Sequence, residues 1–412
     1  MKKLIALYLL SFSLLSLQAQ SPLRIGVMTD THYLSAQLMD GGYAAQDYVL
    51  TSGRNIVESS AIVDEVIADF AASDINVLLV CGDIAKDGER LSHQDFAAKL
   101  KPLHEKGVRV FVVPGNHDIN VPHPRGYKGN TTYDAESTSP VQFADIYAPF
   151  GYDNAIQRDT ASLSYVAALD DTTWLLTIDA ARYREYTSKT ISAGRIPSST
   201  CTWIESVLAL AREKNMRVVG MMHWGLVEHM PMQSSFFADY LVADWQRIAA
   251  LLADNGVKMM FTGHFHANDI TLYTSDNGNK IYDIETGALC SYPFAYRLID
   301  LYADRAVVKT KNITSTPDSR HLAADSRRQM EDIARRMAQN KLKNMGLNMP
   351  DNVLKPMADV LSQVFILHLG GDEKMTPELE AAVDNLMQGS DDDAFSGELD
   401  FYPPDNDVEI IF

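Results

Sequence analysis

Residues 108–118 read VRVFVVPGNHD, a short apolar run that breaks into asparagine, histidine and aspartate. The run Val108 to Val113 is too short for a buried helix, and its β-branched content suits a buried strand. Pro114-Gly115 ends it. The polar residues after that break exceed ordinary turn chemistry, because a turn needs neither Asn116 nor His117, although an Asn-His pair alone could cap a helix.

The same layout recurs on both sides of this stretch. Leu23 to Met28 leads into Asp30-Thr31-His32, and Asn76 to Cys81 leads into Gly82-Asp83. Arg217 to Met222 precedes His223, and Val257 to Thr262 precedes Gly263-His264-Phe265-His266. Thr173 to Ile178 is another run of this kind. Between the runs lie segments of helical period. One stripe is Ile56, Val63, Val66, Ile67 and Phe70, and another is Leu241, Val242, Trp245, Ile248, Leu251 and Leu252, stopped by Asn255-Gly256. Alternating strands and helices from Ser21 to about Thr310 make a layered α/β core. In such a core the ends of successive strands converge on one edge, so five loops deliver polar side chains to one place. Singly the motifs are turns and caps. Jointly, each after a strand, they form a site, and His264 and His266 fall on the same side of an extended segment.

Imidazole, carboxylate and amide oxygen suit borderline divalent metals such as Mn, Fe or Zn, and the lack of thiolate partners speaks against a structural zinc. Seven such side chains exceed what one ion takes. Two ions about 3.5 to 4 Å apart, sharing a carboxylate, are the simplest arrangement, and a hydroxide between them could attack phosphorus while both ions clamp phosphate oxygens.

The order of motifs, D-x-H, G-D, G-N-H-D, H and G-H-x-H, resembles the calcineurin-like metallophosphoesterase superfamily over about residues 23 to 310. The resemblance implies that Asp30, His32 and His266 hold one metal, that Asn116, His223 and His264 hold the second, and that Asp83 bridges them. It implies that His117 sits beside the phosphate as the catalytic group, stabilising it or protonating the leaving oxygen. The implied fold is a β-sandwich flanked by helices, a four-layer α/β/β/α arrangement, which the strand pattern alone does not separate from a doubly wound sheet. One departure is that Trp224-Gly225 follows His223 where the family often has His or Pro, leaving His229 as a nearby competitor. His93, His104, His123, His321 and His368 match no motif and read as ordinary residues. Asp87, Asp118 and Asp179 read as supporting groups behind the ligands.

The stretch from Cys81 to Glu89, with Pro114 to Asn120, is similar to exported bacterial members related to cyclic nucleotide phosphodiesterases, some of which carry a helical C-terminal extension. A cyclic nucleotide is thus the first substrate expected. A phosphomonoesterase or nucleotidase of the envelope, or a sphingomyelinase-like diesterase, would share the same centre. A reading of another class is a binding protein on a retired phosphoesterase core, against which all seven ligand positions and His117 stand.

Beyond Thr310 the pattern turns helical, at about 323–346, 351–368 and 376–388, with Gly346, Pro350, Gly370-Gly371 and Pro377 as punctuation. The expected division is a leader at 1–20, a catalytic domain at 21–311, a small helical C-terminal domain at 312–390 and an acidic tail at 391–412. The tail holds no Lys or Arg, contains Pro403-Pro404, and is expected to lie on the surface, packing through Ile410, Ile411 and Phe412. The leader reading rests on Lys2 and Lys3, the apolar run Leu4 to Leu17 and Gln18-Ala19-Gln20. It places the protein outside the cytoplasm, periplasmic or extracellular, in a bacterial envelope; the sequons at Asn130 and Asn312 would matter only in a eukaryotic path. No membrane span is expected.

Of the 412 residues, 46% are hydrophobic and 22% charged, which suits a folded chain with a large core. Three cysteines, Cys81, Cys201 and Cys290, are too few for a disulfide framework, and Cys81 and Cys290 read as buried thiols. A net charge of −18 excludes an extended nucleic-acid face, so the partner expected is a small phosphoester, met by a local positive focus.

Overall fold

A computed structural model of the chain describes residues 21–231, 233–344, 350–387 and 401–412. The expected leader, and residues 391–400 of the expected tail, lie outside the described residues.

In chain order the strands are β1 (Leu23–Met28), β2 (Val77–Val80), β3 (Arg109–Val112), β4 (Arg125–Lys128), β5 (Thr131–Asp134), β6 (Gln157–Arg158), β7 (Tyr165–Ala168) and β8 (Thr173–Ile178). They continue with β9 (Arg217–Met222), β10 (Met259–Thr262), β11 (Asp269–Thr274), β12 (Lys280–Glu285), β13 (Ala295–Leu301), β14 (Arg305–Asn312) and β15 (Asp407–Ile411). The helices are α1 (Tyr43–Ser52), α2 (Ser59–Ala72), α3 (Arg90–Glu105), α4 (Pro140–Ile146), α5 (Ser198–Glu213), α6 (Gln233–Phe236), α7 (Trp245–Asp254), α8 (Leu322–Asn344), α9 (Asp351–Gly370) and α10 (Pro377–Met387).

The strands form two large mixed sheets and the small hairpin β4-β5. The first sheet runs β15-β14-β13-β1-β2-β3 and the second β11-β12-β10-β9-β8-β7-β6. Each has a parallel heart, β1-β2-β3 in one and β8-β9-β10-β12 in the other, with antiparallel strands outside. Apart from β12, these parallel strands are the apolar runs, nearly continuous in hydrophobic residues because both faces are covered.

One core joins the two sheets, with Ile25, Leu79 and Phe111 from the first and Tyr165, Met221 and Phe261 from the second. α2 and α3 complete it with Ile62, Phe70, Phe96 and Leu100. A second core lies between the second sheet and α5 and α7, where Leu176 and Met260 meet Trp203, Ile204, Ile248 and Leu252. The layers are therefore helix, sheet, sheet, helix, as expected, and the doubly wound alternative drops out.

The helical C-terminal region is observed, α8 packing along α9. By length and composition α9 could cross a membrane, a candidate the sequence reading did not find. Its Ile366 and Leu369 pack against Phe265 and Ala267 of the core. The chain then returns. β15 pairs antiparallel with β14, so the described end of the tail is an edge strand of the first sheet and not only a packed surface segment.

Candidate metal centre

The polar loops all follow the carboxyl ends of the parallel strands. Asp30 and His32 follow β1, Asp83 follows β2, Asn116 and His117 follow β3, His223 follows β9, and His264 and His266 follow β10. Because both sheets point these ends the same way, the seven expected ligands meet at one edge of the sandwich, with His117 beside them.

Two groups of ligating atoms result. Asp30, His32 and His266 form one, and Asp83, His223 and His264 the other, the atoms in each lying within 4.8 Å of one another. Asp83 Oδ2 lies between the groups, 3.6 Å from His32 Nε2 and 3.3 Å from His223 Nε2. Asp30 Oδ1 is 3.1 Å from His266 Nε2 and 3.9 Å from His223 Nε2. His229 is not in this place; it packs on Phe265 and His368 instead, leaving His223 with the cluster.

The imidazoles are held from behind. His223 Nδ1 donates to the Cys81 carbonyl at 2.8 Å, turning Nε2 inward, and His264 Nε2 donates to the Asp239 carbonyl at 3.2 Å, turning Nδ1 inward. Such backing by a carbonyl is how a metal-binding histidine has its tautomer set. Asp30 Oδ2 accepts from Thr29 Oγ1 at 2.7 Å and from the His264 N–H at 2.9 Å, which leaves Oδ1 to face the cluster.

The backbone is bent to reach this arrangement. Asp30, His32, Asp83, His264 and His266 all have positive φ, between 36° and 76°, a region that side chains with a Cβ rarely occupy. Strain of this kind persists where surrounding structure over-determines it, and it clusters at functional sites. The motif glycines make room for it. A Cβ on Gly115 would lie 2.2 Å from Asp83 Oδ1, and one on Gly263 would lie 2.2 Å from Thr29 Oγ1 and 2.6 Å from Asp30 Oδ2.

His32 Nε2 and Asn116 Oδ1 are buried with no hydrogen-bond partner, and Asp30 Oδ1 has only His266 Nε2 within hydrogen-bonding reach. Buried polar atoms are almost always paired, so these orphans need a partner of another kind. Carboxylate, imidazole and amide oxygen fit a pair of borderline divalent cations. Electrostatics agrees. Burial alone would raise Asp83, yet the neighbouring His223 and His117 hold it well below the usual carboxylate range. Burial would lower His223, but Asp83 and Asp30 overcome it and lift it to about 9. Burial, with His223 beside it, pushes His264 down to about 3.

Half-buried His117 stands at the mouth of the cluster, its ring 4.9 Å from that of His32. Its backbone N–H donates to Asp83 Oδ1 at 2.8 Å, and its Nδ1 meets Asp87 Oδ1 at 2.8 Å. Asp87 is paired in turn with buried Lys86, which lies over the rings of Tyr48 and Tyr127. Asp118 caps the loops, accepting from the N–H groups of Ile84, Ala85 and Gly115. Asp179 accepts from Leu163 N–H and the Tyr183 hydroxyl, away from the ligands.

Arg54 was not legible in the sequence. It follows α1 in a loop with no motif, yet it lies near enough to help burial lower His32, with Asp83 and Tyr48 holding its own charge. The chain thus has a positive focus beside the cluster despite its net charge.

A family model described as calcineurin-like phosphoesterase matches residues 23–268. Among solved structures the chain is similar to a dimetal phosphatase from Danio rerio, at 16% identity over 71% of this chain and 96% of that one, with a TM-score of 0.49. It is similar to a purple acid phosphatase from yellow lupin, Lupinus luteus, at 14% identity over 71% of this chain and 52% of that one, TM-score 0.43. A Haemophilus influenzae NAD nucleotidase is similar at 10% identity over 76% of this chain and 56% of that one, TM-score 0.38. No curated protein matches significantly.

Proposed function

The chain belongs to the calcineurin-like phosphoesterase family, and from that premise we propose that it is a dimetal phosphodiesterase acting on a small phosphoester, a cyclic nucleotide first. The observation that carries the reading is the convergence of Asp30, His32 and His266 with Asp83, His223 and His264 in two adjoining groups, with the Asn116 amide oxygen buried and unpartnered on the neighbouring loop. Asp30, His32 and His266 would hold one ion and Asn116, His223 and His264 the other, with Asp83 between them. Bound divalent ions supply Lewis acidity toward phosphoryl oxygens and lower the pKa of water.

The chain's own residues do the rest. Arg54, near enough to His32 to lower it, would add positive charge beside the ions and favour an anionic substrate. His117 Nδ1–H donates to Asp87, so Nε2 is the ring nitrogen left for substrate. Protonated, Nε2 can hand its proton to the departing oxygen, which helps a poor leaving group such as a ribose alkoxide. The Lys86–Asp87 pair fixes this ring and keeps Asp87 ionised.

The preference for diesters is supported by the Cys81–Glu89 and Pro114–Asn120 loops and their likeness to cyclic nucleotide phosphodiesterases. Export to the periplasm or beyond is part of the proposal and is supported by the basic and apolar start of the chain. A panel of cyclic nucleotides, nucleoside monophosphates and lipid phosphodiesters, run with defined metals, tests the substrate. Cyclic nucleotides turned over fastest is the expected result, and exclusive monoester hydrolysis would contradict it.

A further inference from the structure

A second cluster of histidines and carboxylates lies behind the Gly263–His266 loop, where the C-terminal segments return to the core. His229, Asp269 and Glu285 come from the core, His368 from the end of α9, Glu373 from the loop after it, and Asp405 from the stretch before β15. All six are at least nine-tenths buried, Glu373 being the most exposed at 8%. We propose that this cluster is a separate binding site for one borderline divalent cation, zinc-like in its preference, held by His229 Nδ1, His368 Nε2 and Asp269 Oδ2. The site clasps the C-terminal segments to the core and does not rest on the phosphoesterase reading.

The geometry is that of a ligand set with its supports. His229 Nδ1 and His368 Nε2 face each other at 3.0 Å, their rings nearly parallel, and Asp269 Oδ2 lies 3.9 Å from His229 Nδ1. The ligating atoms of the three lie within 4.8 Å of one another, close enough for one ion with bonds of about 2.0 to 2.2 Å. His368 Nδ1 donates to Glu373 Oε1 at 2.5 Å, so its Nε2 lone pair points into the cluster, the carboxylate-histidine backing that metal-binding imidazoles use. Asp405 is already engaged by the N–H groups of Ile270 and Asp372, and so ties the loop after α9 to β11.

The unpartnered atoms point to a cation independently. Asp269 Oδ2 and Glu373 Oε2 are buried without hydrogen bonds, although Asp269 Oδ1 has Thr271. Buried Arg297 is the cation on their far side, but its guanidinium donates to the carbonyls of Asp405 and Glu285 and leaves these carboxylate oxygens unmet. A divalent ion would give the unpartnered oxygens the positive partner that Arg297 does not.

Without the ion, the Gln233 amide, 2.9 Å from His229 Nε2, donates there, and His229 Nδ1–H bonds to His368. Binding displaces that Nδ1 proton, and the His229 N–H moves to Nε2, which lies 3.0 Å from Glu285 Oε2. The Phe265 ring, between His264 and His266 in sequence, packs on both His229 and His368 and so lies between this cluster and the metal centre's loop.

Zinc alone is the probe. Crystals of the full chain, chelated and then soaked in zinc, should give an anomalous peak at the zinc edge between His229, His368 and Asp269. In solution, Asp269→Asn and His368→Phe should each bind one zinc fewer per chain than the wild type. The Asp30→Asn/Asp83→Asn variant, crippled at the other centre, should keep that ion and a zinc-dependent rise in melting temperature, which Asp269→Asn should reduce. No anomalous peak there, or zinc counts unchanged by both cluster variants, overturns the proposal. The crystal result decides even if a variant fails to fold, and an empty Asp83 centre beside a filled cluster would count against the proposed function only.

Discussion

Asp83 joins the two halves of the centre, with one oxygen held by the His117 N–H and the other between His32 and His223. Asp83→Asn keeps the shape and removes the charge that lets two cations approach. Metal content should fall, and turnover should drop by more than the roughly 10- to 100-fold typical of losing an outer partner. Elemental analysis beside kcat measures both, and a variant that keeps its ions and its rate would remove the bridging role. His117→Asn should lose about 10²- to 10⁴-fold on an unactivated diester and far less on bis(p-nitrophenyl) phosphate, whose leaving group needs no proton. Equal losses on both would mean that His117 only stabilises charge. His93 tests the pH response away from the ligands. Its Nε2 donates to the Asp118 carbonyl and its Nδ1 accepts from the Tyr147 hydroxyl, and burial pushes it down to about 4. Between pH 6.5 and about 4 the unfolded chain binds a proton there that the folded chain refuses, so stability is present above this window and lost as pH falls through it. The loss is about 3 kcal/mol at most. In urea titrations His93→Phe should be weaker at pH 7 but should lose less than the wild type on going to about pH 4.5, and parallel losses would contradict this.

At the scale of elements, six of the seven parallel strands were legible because buried strands read as continuous apolar runs, with β1, β8 and β9 falling where the runs do, whereas β12, with lysine, aspartate and glutamate in six residues, was not. Both helical stripes begin before their helices, since Ile56 and Leu241 are buried in the preceding loops and share the apolar face without sharing the helix. β15 was illegible. Its sequence is rich in acidic residues and follows two prolines, and only pairing with β14, nearly a hundred residues earlier, makes it a strand. Arg54 and His368 were illegible for the same reason, as each gains its meaning from partners far along the chain. Removing residues 401–412 should therefore do more than trim a tail. It exposes the β14 edge and takes away Asp405, the acceptor for Ile270 and Asp372, and an open edge invites pairing between chains. The truncated protein should melt lower and run as oligomers in size-exclusion chromatography. A monomer with unchanged melting would show that β15 contributes little.

Across the whole molecule, two sheets with parallel hearts aim their strand ends at one edge, and the helical C-terminal region closes behind the loop that carries His264 and His266. The fold was partly readable, since alternation gave the layers while the resemblance, and not the periodicity, gave the sandwich. The candidate ligands were legible as a set, because motif glycines and histidines sit at fixed offsets from strands, and the structure brings them together, while only space could separate His223 from His229. Both sheets, the strained loops and the backed imidazoles bring the candidate ligands to that one edge, where the proposed pair of cations would face a phosphoester. The most direct test is hydrolysis of bis(p-nitrophenyl) phosphate by the chelated protein as Mn²⁺ is added back, with bound metal counted at each step. The metal-free protein should be inactive, and activity should return only as ions lost in Asp83→Asn are restored. Undiminished hydrolysis by the metal-free protein would contradict the account.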